Sequence, residues 1–373
     1  MARDQKRFRR GCVLINGARL QLQDLSIVYD GQITAVDSVS LDVEPGEFLT
    51  LLGPSGSGKT SILMTVAGFV PAASGRVLVD GDDLLGRPPN ERNLGMVFQD
   101  YALFPHMSVA ENIGFPLKMR NWSKADIKQA VDGALEMVRL TGYENRRPTQ
   151  LSGGEQQRVA LARSTVFDPP VLLMDEPLGA LDRQLREHLQ TELKRVQSRT
   201  GITTLYVTHD QQEAMTLSDR IAVMRDGRIE QIGTPAELYD RPATRFVASF
   251  VGETNLFRGR PTGSGSGAML ETGNGGQIPL DGIADLPRDE MIEISIRPER
   301  LTIGGGARCT VEATIVEVGF AGEMIRVTAQ TSSGDQFRIK QQNRGQAGQL
   351  SAGTSIQIGW NPEDLVVLEQ PVD

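Results

Sequence analysis

Five short runs in the first two-thirds of the chain are apolar at most positions: EFLTLLG (Glu47 to Gly53), NLGMVFQ (Asn93 to Gln99), PVLLMDE (Pro170 to Glu176), TTLYVTH (Thr203 to His209) and RIAVM (Arg220 to Met224). Near-continuous apolar character marks strands covered on both faces, as in a mainly parallel sheet with helices on either side. Helical stretches separate these runs. The one from about Val109 to Arg163 is too long for a single crossover and reads as an inserted helical subdomain, with outer bounds near 101 and 165. Past residue 240 the pattern changes. RPATRFVASFVG has helical spacing, and GRPTGSGSG (Gly259 to Gly267) and ETGNGG (Glu271 to Gly276) are rich in turn formers. Runs that alternate apolar and polar positions follow: MIEISIRP, CTVEATIVEVG, EMIRVTAQ, QFRIKQQ and TSIQIGW. Such short strands with frequent turns predict a small barrel or sandwich. The pattern therefore predicts an α/β unit over 1–240 and an all-β unit over 241–373.

Composition narrows this picture without redrawing it. The chain has 373 residues, enough for two domains with separate cores. Its net charge of −8 argues against a general nucleic-acid partner, which needs a positive face. No run of 18 apolar residues is present, so no membrane-spanning helix is expected. Cys12 and Cys309 lie far apart and form no CxxC pair, which argues against a disulfide framework or a zinc site and fits a reducing compartment. The basic start MARDQKRFRR lacks an apolar core behind it and reads as a solvated tail rather than a secretory signal.

The chemistry begins at Gly53-Pro54-Ser55-Gly56-Ser57-Gly58-Lys59-Thr60, followed by Ser61. GPSGSGKT matches G-x-x-x-x-G-K-[ST] and lies between an apolar strand and a helical run, the context this phosphate loop requires. Its glycines let backbone N–H groups approach a β-phosphate. Lys59 reaches the β- and γ-phosphates, and Thr60 offers a hydroxyl to Mg²⁺. VLLMDEP brings Asp175 and Glu176 to the C-terminal end of a buried strand, where ligands of open α/β sheets bind. Asp175 is the expected Mg²⁺ partner, and Glu176 the base that orients water against the γ-phosphate. His209 closes another buried strand at the same end, and Gln99 ends a third. A side-chain amide there reaches either Mg²⁺ or the attacking water. Tyr29, before a turn, is either a core tyrosine or a ring that stacks on a base.

QLSGGEQQRVALAR (Gln150 to Arg163) raises a separate question, because Ser152-Gly153-Gly154 opens a helix and makes a second place for a phosphate. Taken with GPSGSGKT, VFQD, VLLMDEP, LGALD and VTHD in that order, this segment resembles the signature of ABC transporter ATP-binding subunits. The resemblance spans the whole chain. It implies a P-loop NTPase with a RecA-like core and an ABC helical subdomain, followed by an OB-type accessory domain whose recognisable stretches are IRPERL and GWNPEDLVVL. It also implies ATP and Mg²⁺ as ligands and a head-to-tail pairing of two copies. Ser152, Gly153, Gly154 and Glu155 of one copy would then face the γ-phosphate held by Lys59 of the other, with Asp182 at the seam. Tyr29 would stack on adenine, His209 would touch the γ-phosphate, and Gln99 would link Mg²⁺ to the membrane partner.

The implied partners are two transmembrane permease subunits and, indirectly, a solute-binding protein, with the chain at the cytoplasmic face of the membrane. The permease is expected to dock around FQDYALFPHMSVAENI. LGALDRQLRE and TPAELYDRPATRFVASFVGETN lean toward the polyamine importers rather than those for sugars or ferric iron. A soluble ABC ATPase acting on DNA or ribosomes would carry tandem cassettes, zinc-binding cysteines or a basic arm. A catalytically dead module would have lost Lys59, Asp175, Glu176 or His209. Ser164-Thr165 stand where the family carries small apolar residues, which predicts looser local packing.

Overall fold

The structure is a computed structural model that describes residues 17–179, 183–281, 290–304, 306–343 and 350–369. It divides into two compact units, one ending at Pro235 and the next starting at Ala236. The basic tail, Cys12 and Asp182 lie outside the described residues.

In chain order the first unit contains β1 (Leu20–Tyr29), β2 (Ile33–Val43), β3 (Phe48–Leu52), α1 (Lys59–Ala67), β4 (Ser74–Val79), β5 (Asp82–Asp83) and β6 (Gly95–Val97). The inserted helices α2 (Val109–Met119), α3 (Lys124–Met137) and α4 (Gly153–Thr165) follow. The chain then returns through β7 (Val171–Asp175), α5 (Arg183–Thr200), β8 (Thr203–Thr208), α6 (Gln211–Leu217), β9 (Arg220–Arg225) and β10 (Arg228–Gly233). Strands β9, β3, β8, β7 and β6 run parallel in that order, and β10 adds an antiparallel edge. A second sheet, in the order β2-β1-β4-β5, is antiparallel throughout.

Side-chain alternation along each parallel strand feeds two cores. Leu49 and Leu51 of β3, Val171 and Leu173 of β7, and Leu205 and Val207 of β8 share one cluster with Ile62, Leu63 and Val66 of α1 and with Leu22, Leu25 and Ile27 of β1. Helix α1 thus packs between the two sheets, which is why SILMTVA is apolar on almost every side. The intervening residues Leu172, Met174 and Tyr206 point the other way, against Leu189, Leu193 and Val196 of α5. The inserted helices close around a third cluster that includes Val109, Ile113, Val131, Leu135 and Val159. Ser164 and Thr165 sit in buried positions without loosening them. Both hydroxyls donate to Leu161 O at 2.8 Å, so the helix backbone satisfies them.

The second unit carries α7 (Pro235–Asp240), α8 (Arg245–Val251), β11 (Asn255–Thr262), β12 (Met269–Thr272), β13 (Gln277–Pro279), β14 (Ile292–Ile296), β15 (Thr302–Ile303), β16 (Cys309–Ala321), β17 (Met324–Gln330), β18 (Gln336–Gln342), β19 (Ser355–Trp360) and β20 (Leu365–Leu368). They form two five-stranded sheets, β13-β12-β11-β14-β20 and β15-β19-β16-β17-β18. Both sheets feed one core, in which Phe337 contacts Phe257 and Trp360. Arg297 is almost fully buried, and its guanidinium donates to the carbonyls of Tyr239 and Ala248, tying the ends of α7 and α8 to β14.

Candidate active site

Strand β3 is buried along its length and delivers the chain into the phosphate loop. Helix α1 starts at Lys59 behind Gly58, which has φ 95° and supplies no side-chain cap. A Cβ at Gly58 would lie 2.5 Å from Ala35 O of β2, so glycine is demanded here by the protein's own backbone. Gly56, with φ 83°, has nothing within 4 Å of its Cβ direction and marks the open side of the loop. Lys59 is 5% exposed, and its Nζ donates to Gly53 O and Pro54 O at 2.8 Å and to Ser57 Oγ at 3.3 Å. Burial lowers its pKa, while Glu176 and Asp175 pull it back up.

Thr60 Oγ1 donates to Asp175 Oδ1 at 3.0 Å. Strand alternation explains the meeting. Asp175 shares the parity of Val171 and Leu173, whose side chains pack with α1. Burial raises the pKa of Asp175, and the Thr60 hydroxyl opposes that rise. A hydroxyl and a carboxylate oxygen held this close suit a hard divalent cation. Among the described residues, no group of three or more His, Cys, Asp or Glu side chains would hold a metal alone. A cation held by this pair would need further oxygen donors, a requirement that Mg²⁺ commonly meets with substrate phosphates and water.

Glu176 breaks the alternation. It has φ 41°, a left-handed conformation costly for a residue with a side chain, and strain of this kind gathers at functional sites. Its N–H donates to Val207 O at 3.0 Å, which holds the turn against the end of β8. Its Oε1 lies 2.9 Å from Nδ1 of His209, whose ring is mostly exposed. The structure thus brings Lys59, Thr60, Asp175, Glu176 and His209 to one end of the parallel sheet.

The remaining sequence candidates lie differently. Tyr29 ends β1, is 38% exposed, and donates its hydroxyl to Ser61 Oγ at 3.1 Å. Gln99 is exposed and lies past the end of β6, because that strand stops at Val97 rather than running on to the glutamine. Ser152 caps α4. Its Oγ accepts from the Glu155 N–H at 3.4 Å, and its N–H donates to Glu155 Oε2 at 2.7 Å, a reciprocal capping box. The Ser152 N–H also lowers the pKa of Glu155.

Two residues that pattern reading missed shape the segment after Gln99. Tyr101 and Ala102 have φ 62° and 44°. Arg163, near the end of α4, donates to their carbonyls at 2.8 and 2.7 Å. Asn112 of α2 is fully buried. Its side chain accepts from Phe104 N–H at 2.9 Å and donates to the carbonyls of Phe104, Met107 and Ser108. The available signal was a polar residue on an otherwise apolar helix face.

A phosphate loop on a parallel sheet, a hydroxyl–carboxylate pair beside it, a Glu–His pair opposite and an inserted helical subdomain with a capped Ser-Gly-Gly turn define a class. The chain belongs to the family of ABC transporter ATP-binding proteins, which are ATP hydrolases coupled to transport. The family description "ABC transporter" matches residues 36–179, and "TOBE domain" matches 294–368. The chain is similar to the spermidine/putrescine import ATP-binding protein PotA of Rubrobacter xylanophilus, with 44% identity over 91% of this chain and 90% of that protein. It is 45% identical to PotA of Thermobifida fusca, over 94% of this chain and 93% of that one. Among solved structures, the dimeric bacterial ABC transporter cassette MJ0796 aligns with a TM-score of 0.52 and 32% identity, over 58% of this chain and 98% of the cassette. The post-hydrolysis MJ0796 dimer bound to ADP and Pi aligns with a TM-score of 0.51 and 31% identity, over 58% of this chain and 98% of that one.

Proposed function

We propose that the chain is the ATP-hydrolysing subunit of a polyamine importer, acting on a separate membrane permease. The observation that carries the ATPase reading is the pairing of Thr60 with Asp175 and of Glu176 with His209 at the same sheet end as Lys59. The polyamine reading rests on similarity over nearly the full length to spermidine/putrescine import proteins.

In this reading the loop from Gly53 to Ser61 wraps the phosphates of ATP. Lys59 exchanges its loop carbonyls for β- and γ-phosphate oxygens, and Tyr29 offers its exposed ring to the base. Thr60, Asp175 and Gln99 would hold Mg²⁺, which would supply charge neutralisation at the phosphates. Glu176 takes the proton of the attacking water on its free carboxylate oxygen while its other oxygen stays on His209 Nδ1. The second ring nitrogen of His209 remains for the γ-phosphate.

Two copies pair head to tail, so the Ser152-Gly153-Gly154 turn and Glu155 of one chain face the γ-phosphate of the other, with Asp182 at the seam. A symmetric pair then has two equivalent sites. Hydrolysis removes the γ-phosphate contact and opens the pair, as in other γ-phosphate switches. Gln99 passes that opening to the permease, which docks around residues 98–113. The apolar groove between α2 and α3, lined by Ala110, Gly114, Phe115, Ile127 and Val131, supports that location. No helix among the described residues is long and apolar enough to cross a membrane. The chain attaches peripherally to the permease at the cytoplasmic face, a reading that rests on its similarity to import ATP-binding proteins. A solute-binding protein delivers cargo to the permease from the other side.

The test is uptake of labelled putrescine and spermidine in the host lacking this gene and any second polyamine system. Restoration by wild type but not by Lys59→Ala is expected. Uptake that never depended on the gene would remove the cargo and leave the ATPase standing.

A further inference from the structure

Behind His209 lies a carboxylate that the hydrolysis scheme leaves without a role. Glu213, in the first turn of α6, is 2% exposed. Its Oε2 accepts the hydroxyl protons of Tyr206 and Thr208, both at 2.8 Å. These two residues are two apart on β8 and share one face of the sheet. His209 is the next residue. On its far side, Asp210 donates its N–H to Thr208 Oγ1 at 3.0 Å. Asp210 Oδ1 caps α6 through the N–H groups of Gln212 and Glu213, at 2.8 and 3.1 Å. Arg186, in the first turn of α5, pairs with Asp210 Oδ2 at 2.9 Å and approaches Glu213 Oε1 at 3.6 Å.

Both neighbours of His209 are therefore tied into one network that converges on Glu213, while the imidazole projects outward to Glu176. A buried charge is a costly way to hold a turn, because desolvation offsets much of its attraction. Its distinctive contribution is fixed geometry. We propose that Glu213 is a positioning residue for hydrolysis: through Tyr206, Thr208 and the Arg186–Asp210 pair it fixes the backbone on both sides of His209, so that the ring meets Glu176. This rests on the reading of His209 as a participant in hydrolysis.

The test uses the full chain with ATP and Mg²⁺, measuring kcat, KM and single-turnover rates. Glu213→Gln keeps an acceptor for the two hydroxyls but loses the charge facing Arg186, whereas Glu213→Ala loses both. Groups that orient a catalytic side chain typically contribute 10- to 100-fold, so kcat is expected to fall about tenfold in the first variant and about 100-fold in the second, with KM within about twofold. In a His209→Ala background, Glu213→Gln should cost nothing further, because its effect runs through the missing ring. An equal loss in that background overturns the proposal, as does a wild-type kcat in Glu213→Gln should the alanine variant fail to fold. If His209→Ala itself turns over normally, the reading of His209 fails first and this inference falls with it. Loss in His209→Ala but none in either Glu213 variant removes this inference alone.

Discussion

The chain opens two helices with glycine and serine, and the two starts are built in opposite ways. At α1 the turn follows a fully buried strand, no side chain caps the helix, and Lys59 is folded back over its own loop. At α4 Ser152 is exposed, and Ser152 and Glu155 cap each other. The first N–H groups of any helix lack internal partners. At α1 the N-cap residue offers them no side chain, while at α4 the Ser152 hydroxyl takes the Glu155 N–H. The first start thus leaves its N–H groups to an incoming anion, and the second is partly satisfied by the chain itself. In the head-to-tail pair we propose, that asymmetry lets the pair open after each turnover.

The largest break in the comparison comes from disabling only the buried side. Glu176→Gln should lower the rate of phosphate release about 1000-fold while ATP binding persists, since general bases contribute roughly 10²- to 10⁴-fold. Full turnover in that variant, measured at saturating ATP, would remove Glu176 as the base. Next in size is Gly58→Ala. It sets a Cβ 2.5 Å from Ala35 O at φ 95° and should cost about 3 kcal/mol in urea unfolding, combining a clash with left-handed strain. Gly56→Ala has open space and should cost only the left-handed penalty, about 1 kcal/mol. Equal costs at the two glycines would erase the distinction between packed and open sides of the loop.

A smaller effect is expected at the exposed turn. Ser152→Ala should destabilise by about 1 kcal/mol, the usual value of a lost cap, and leave ATP affinity of the dilute monomer unchanged. Weaker monomer binding, read by nucleotide fluorescence, would mean the two turns are not separate. The finest distinction is in pH. Glu155 has its pKa lowered by the Ser152 N–H, so its contribution to stability is present above the unfolded value, near 4.5, and is lost as pH falls through the folded value. Asp175 has its pKa raised by burial, so ionising it works against the ligand-free fold. Asp175→Asn should therefore stabilise the ligand-free chain at neutral pH, with the gain vanishing as pH falls below the unfolded value. Urea titrations of Glu155→Gln and Asp175→Asn across pH 3 to 7, a range that brackets ordinary carboxylate values of about 4, should give slopes of opposite sign. Parallel slopes would contradict the contrast.

Much of the site was legible because it depends on order along buried strands. Parity alone sends Asp175 toward α1, where Thr60 waits. Parity fails at the next residue, because the left-handed turn at Glu176 is set by its contact with Val207 on β8 and not by local sequence. Arg163 was invisible for a related reason: the carbonyls it holds lie about 60 positions earlier. The antiparallel sheet was hidden by bulges in β1, whose register shifts between Leu22 and Leu25 and again before Val28. In the second unit, GRPT reads as turn yet lies in β11. Pro261 is tolerated there because β14 pairs with β11 only as far as Gly259, leaving the proline flanked by β12 alone.

The two left-handed residues after Gln99 carry a mechanical consequence. Each such residue holds about 1–3 kcal/mol of backbone strain, and one planar guanidinium grips both carbonyls. Tyr101 and Ala102 are a wound spring and Arg163 is the hook on which it hangs. Because the hook belongs to the helix that Ser152 caps, the Ser-Gly-Gly turn and the glutamine's loop are joined by one helix and two hydrogen bonds.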